Sequence, residues 1–160
     1  MIDQLRTLRR IKKMREEKAM AAFLAARDSV RAAEALRDRA QAAVDESALT
    51  LRDREQACFT PILGKPVEQA DIDEAKHNAA EVEAEHQRLI DRVARAEHVI
   101  VERKQAMEEA RIAHKQAEQA VDKVDILIEE EMAEVTREAE AKEEVELEDL
   151  AGRKAPEFAG

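Results

Sequence analysis

The chain has 160 residues, of which 40% are charged and 2% aromatic, with no Trp or Tyr, three Gly and three Pro. So few turn residues exclude a sheet protein, which needs a turn signal about every 8–12 positions. So few aromatics exclude a thick globular core, and a hydrophobic share of 44% excludes disorder over most of the length. Long helix remains.

The chain opens basic. Residues 1–18 carry seven bases (Arg6, Arg9, Arg10, Lys12, Lys13, Arg15, Lys18) against Asp3, Glu16 and Glu17. Leu5, Leu8, Ile11 and Met14 recur at helical spacing beside them, an apolar stripe next to a basic face. A first long helix is expected over 1–58, a stretch free of both Gly and Pro. Its seam reads Ala22, Ala26, Ser29, Ala33, Leu36, Ala40, Val44, Ser47, Leu51, Arg54, Cys58. Small residues dominate it, so two helices can approach closely while each layer buries little area.

One breaker cluster follows, Phe59-Thr60-Pro61-Ile62-Leu63-Gly64-Lys65-Pro66. Proline lacks the amide donor and disfavours helix in the residue before it, so a hairpin turn is expected over 59–67. The second long helix, 68–150, carries a strict 3-4 seam from 72 to 128: Ile72, Ala75, Ala79, Val82, His86, Leu89, Val93, Ala96, Ile100, Arg103, Met107, Ala110, His114, Ala117, Val121, Val124, Ile128. An unbroken spacing of this kind is the signature of a left-handed coiled coil. Its last part is acidic, with eleven acids against Arg137 and Lys142 over 129–149. A flexible tail is expected over 151–160, opened by Gly152.

These elements predict an all-α fold, an antiparallel two-helix coiled-coil hairpin with a longer second helix. At 1.5 Å per residue the helices reach roughly 80 and 120 Å. If Cys58 faces a residue near Glu68, Leu5 lies opposite Val121, and the acidic end overhangs without a partner in the chain.

Catalytic chemistry finds little to work with. Ser29 and Ser47 are the only serines, neither with a histidine placed in sequence to activate it, and three glycines cannot form a phosphate loop. Glu74/His77 and Glu83/His86 have the Glu-x-x-His spacing of di-iron sites, but nine residues apart on one helix they face opposite ways. No catalytic, cofactor or metal residue is assigned, and the chain reads as a non-enzyme. His86, Arg103 and His114 interrupt the seam; a pH switch or docking site is one reading, but they read better as polar residues that fix register or send their heads out of the narrow interface. Cys58, the only cysteine, reads as packing at the seam end.

With no apolar leader and no run of 18 apolar residues, a cytoplasmic setting without direct membrane insertion is expected. The basic start lacks aromatics for stacking, and the net charge is −10, so no nucleic-acid partner is expected. A surface helix on a membrane also fits it. A protein-docking face fits best: Leu5, Leu8, Arg9, Arg10, Lys12, Lys13 and Arg15 against an acidic partner. The apolar Phe59, Ile62 and Leu63 at the tip form a second candidate contact.

The layout resembles the YscO/FliJ family of type III secretion coiled-coil proteins. The resemblance rests on the basic, leucine-spaced start Leu5-x-x-Leu8-x-x-Ile11-Lys12-x-x-Arg15-Glu16-x-x-Ala19, the break near the first third, and the Glu-rich stretch Lys142-Glu143-Glu144-Val145-Glu146-Leu147-Glu148-Asp149. It covers nearly the whole chain and leans toward the virulence branch, although the chain has no Tyr for an aromatic tip contact. It implies a hairpin similar to the central stalk of rotary ATPases. The implied partners are a hexameric secretion ATPase, an export gate protein and secretion chaperones, met at the inner-membrane secretion apparatus. The alternative is a structural coiled-coil scaffold acting by self-association. A filament former needs an even apolar seam on both helices, which the Ala/Ser-rich first helix lacks. A prefoldin-like chaperone needs a β-hairpin between its helices, for which 60–66 is too short.

Overall fold

The computed structural model describes the backbone of residues 1–158 and the side chains of 1–153. Two α-helices pack against each other, and no strand occurs among the described residues, so the all-α helical hairpin is the fold. Helix α1 spans Ile2–Ala57, a 3-10 turn spans Thr60–Ile62, and α2 spans Gln69–Phe158. Backbone contacts divide the chain into two compact units, Phe23–Ala110 and Met1–Ala22 with Arg111–Gly160.

In the unit Phe23–Ala110 the chain turns at Pro61, the second residue of the 3-10 turn, where its missing donor costs nothing. Ile62 N donates to Phe59 O at 3.1 Å and Leu63 N to Thr60 O at 3.3 Å, after which Gly64 takes a left-handed φ of 70°. Asp71 Oδ2 then accepts from Glu68 N at 3.1 Å, while Asp71 N donates to Glu68 O at 3.0 Å. A carboxylate three residues into the helix thus satisfies the backbone donor at its cap, which starts α2 at Gln69.

The buried residues of this unit are Val30, Ala33, Ala40, Ala75, Val93 and Ile100. On α2 the seam expected from the spacing is the covered face, except that Arg103 is exposed. On α1 the seam corrects the sequence reading: the covered line is Phe23, Ala26, Val30, Ala33, Arg37, Ala40, Val44, Ser47, Leu51, Arg54, Cys58. This line keeps a strict 3-4 alternation, whereas the line through Leu36 needs two successive steps of four. Leu36 is 58% exposed, and Arg37 takes the seam by sending its head out to Asp38 Oδ1 at 2.9 Å. Regular spacing outweighs one leucine.

In the other unit the covered line of α1 runs Ile2, Leu5, Lys12, Glu16, Ala19, facing α2 around His114, Ala117, Val121, Val124 and Ile128. Among the described residues here, only Val121 and Val124 are buried. Arg9 Nε donates to Asp125 Oδ1, and Glu16 Oε1 lies 3.0 Å from His114 Nε2. The helices are therefore antiparallel, but Leu5 falls about one heptad beyond Val121. The same shift holds near the turn: Ser47 Oγ meets His86 Nδ1, a pairing that sets Cys58 opposite Ala75 and not Glu68, because the 3-10 turn and the cap take up the residues between. A slip of seven residues leaves the same face inward, so seam and register fail independently.

Every described side chain over 132–153 is exposed, so the acidic end of α2 stands without a partner among the described residues. Helix α2 continues through Gly152, since a lone glycine costs only about 1 kcal/mol in a helix. Of the tail expected over 151–160, residues through Phe158 are helical, and 159–160 lie outside the described residues.

Candidate functional site

The N-terminal helix separates the expected docking residues onto different faces. Leu5 is half-buried in the seam, and Lys12 is half-covered beside it. Arg9 sits at a seam position and is committed to Asp125, whose hydrogen bond and charge raise the guanidinium pKa further. Lys13 Nζ holds Glu16 Oε2 at 3.0 Å. These four residues face or brace α2.

The rest faces away. Leu8, Ile11 and Met14 are exposed, Met14 at 63%. At 100° per residue Ile11 and Met14 lie across the helix from Glu16, while Leu8, about 80° from it and 37% exposed, marks the edge where this second face meets the seam. Ile11, Met14, Arg15, Glu17 and Lys18 line one shallow groove. A second groove takes in Arg6, Arg10, Met14 and Glu17 together with Arg9 and Lys13, which line its edge while their charged ends stay paired. Arg10 and Arg15 are exposed, and among the described residues no ion pair engages either. An apolar strip flanked by unpaired guanidinium groups suits a partner surface with acidic residues around an apolar centre.

At the tip, Phe59 and Ile62 are half-covered, while Leu63 is 67% exposed. Cys58 is half-buried, and its thiol donates to Arg54 O at 3.3 Å. The hollow beside it is lined by Pro61, Ile62, Lys65, Pro66 and Asp71.

Two of the three polar interruptions of the seam are cross-helix contacts. His86 Nδ1 lies 2.9 Å from Ser47 Oγ, which also accepts from Arg54 at 2.7 Å. His114 Nε2 meets Glu16 as described and lies 3.8 Å from Glu118 Oε1. The hydrogen bonds from Lys13 and then His114 hold the Glu16 carboxyl below its usual pKa, against a smaller opposing effect of desolvation. The Glu16–His114–Glu118 grouping was not legible in the sequence, because it requires the register between the helices. The only available signal was that Glu16 and His114 each continue a seam line. Glu74, His77 and Glu83 are exposed and do not join His86 in a cluster.

No helix among the described residues is long and apolar enough to cross a membrane. Two long helices around a short turn define a helical-hairpin protein, with shallow grooves along an outward face of α1. The family model of the type III secretion protein YscO matches residues 5–153. The chain belongs to the YscO family and is a type III secretion-associated protein, an accessory whose partners lie within the secretion apparatus. No curated protein and no solved structure matches it.

Proposed function

We propose that the chain acts as a central-stalk-like component of the secretion ATPase complex and as an escort for secretion chaperones, linking the ATPase to the export gate from the cytoplasmic side. The observation that carries this reading is the second face of α1. Leu8, Ile11 and Met14 are exposed together, with Arg10 and Arg15 unpaired beside them. On this reading the face is the docking surface for the ATPase. The candidate residues Leu5, Arg9, Lys12 and Lys13 act behind it by holding α1 on α2, while Leu63 at the tip is available to the gate protein or a chaperone.

The test is binding of the full chain to its cognate secretion ATPase at low salt. Arg10→Glu/Arg15→Glu and, separately, Leu8→Ser/Ile11→Ser are expected to lower affinity at least tenfold with helicity unchanged, and the charge variant's residual binding loses its salt dependence. Wild-type affinity in both variants rules the face out.

A further inference from the structure

Glu16 on α1 and His114 and Glu118 on α2 bring three ligand atoms together, all within 4.8 Å of one another. His114 Nε2 lies 3.0 Å from Glu16 Oε1 and 3.8 Å from Glu118 Oε1. A tetrahedral zinc ion with bonds of about 2.0–2.1 Å holds its ligands about 3.4 Å apart, a spacing these distances bracket. We infer that Glu16, His114 and Glu118 form an interhelical site for a zinc ion, with water in the fourth position.

The surroundings favour a metal over a bare hydrogen bond. The Glu16 and His114 side chains are 14% and 15% exposed, so an ion between them is largely shielded. Lys13 Nζ holds Glu16 Oε2 at 3.0 Å, which leaves Oε1 turned to His114 as a ligand supported from behind. Glu118, four residues after His114 on the same face and 54% exposed, is free to close on an ion by a rotamer change. One imidazole with two carboxylates suits Zn2+ and its neighbours in the first transition row, whereas Mg2+ and Ca2+ prefer all-oxygen shells. The ion takes the place of the hydrogen between His114 Nε2 and Glu16 Oε1, which passes to solvent, and its bonds tie α1 to α2 where the α1 seam has Lys12 and Glu16 in place of apolar residues.

The chain contains its own control. His98 Nε2 lies 3.2 Å from Glu102 Oε1 with the same spacing of four, but both are exposed and no residue of α1 completes a third ligand.

The test titrates Zn2+ into the chelator-stripped full chain, with calorimetry for stoichiometry and circular dichroism for melting. The wild type and His98→Ala are expected to bind one ion and to melt several degrees higher with zinc. His114→Ala and Glu118→Gln are expected to lose at least tenfold in affinity together with the shift. Glu118→Gln keeps the Glu16–His114 contact, so a folding defect cannot explain its loss. Mg2+ at the same concentration is expected to leave melting unchanged. Absence of saturable one-to-one binding, or binding by Glu118→Gln as tight as wild type, overturns the site.

Discussion

Ser47 Oγ and His86 Nδ1 meet at 2.9 Å across the two helices, and this contact selects one pairing from a ladder of similar ones. A seam of Ala and Val layers changes little when one helix slides by seven residues, because the same face stays inward. The Ser47–His86 contact does not survive such a slide. Arg54, on the same helix, donates to the same hydroxyl at 2.7 Å and holds it in place.

Ser47→Ala is therefore expected to cost about 1 kcal/mol, the usual net value of a hydrogen bond plus the stranded partner. Adding His86→Leu removes the stranded group, so the double variant regains part of the loss. Urea denaturation in a double-mutant cycle reads this as a coupling of about 0.5–1.5 kcal/mol. Simple additivity removes the register role.

The assignment of Leu36 to the outside of the seam is tested by one substitution on each helix. Leu36→Lys is expected to stay within about 0.5 kcal/mol of wild type, as an exposed site should. Ile100→Ala is expected to cost about 2–4 kcal/mol, because Ile100 is 6% exposed and its methyl groups fill the layer. The reverse order in urea unfolding restores Leu36 to the seam.

Gly64 offers a test of the turn. Its φ is 70°, and a Cβ there meets nothing within 4 Å, so any penalty comes from the backbone alone. Gly64→Ala is expected to cost about 1–2 kcal/mol, and Gly64→Asn less, since Asn tolerates the left-handed region. Equal stability of all three shows that the turn rearranges without cost.

Hydrogen exchange is expected to grade along α2. Amides near Val93 and Ile100, which are buried against α1, exchange at least tenfold more slowly than those over 132–150, where every side chain is exposed. A lone helix is held by its own hydrogen bonds only, and it frays accordingly. Uniform protection points to a partner for that stretch, such as a second copy.

How much was legible beforehand follows from which interactions are local. The α2 seam and the breaker at Pro61 and Pro66 are properties of contiguous sequence, so they can be read without a structure. The α1 seam is less legible at Leu36 and Arg37, because the hydrophobicity of one leucine points away from the alternation that packing follows. The register depends on how many residues the turn consumes, and no periodicity records that. The same gap hid Glu16 from His114 and Arg9 from Asp125. It also merged Leu5 with Leu8 and Ile11 into one stripe, when the helix splits them between the seam and solvent.

The small residues of the seam also determine which sequence changes this protein can absorb. Ala33, Ala40 and Ala75 are buried not because they fill space but because they leave none. A larger side chain at any of them pushes the two helix axes apart and uncovers the layers on either side. In a thick core the damaging substitutions shrink residues; along these layers they enlarge them. Drift in this family is expected to be free over the charged outer faces and narrow at the alanines.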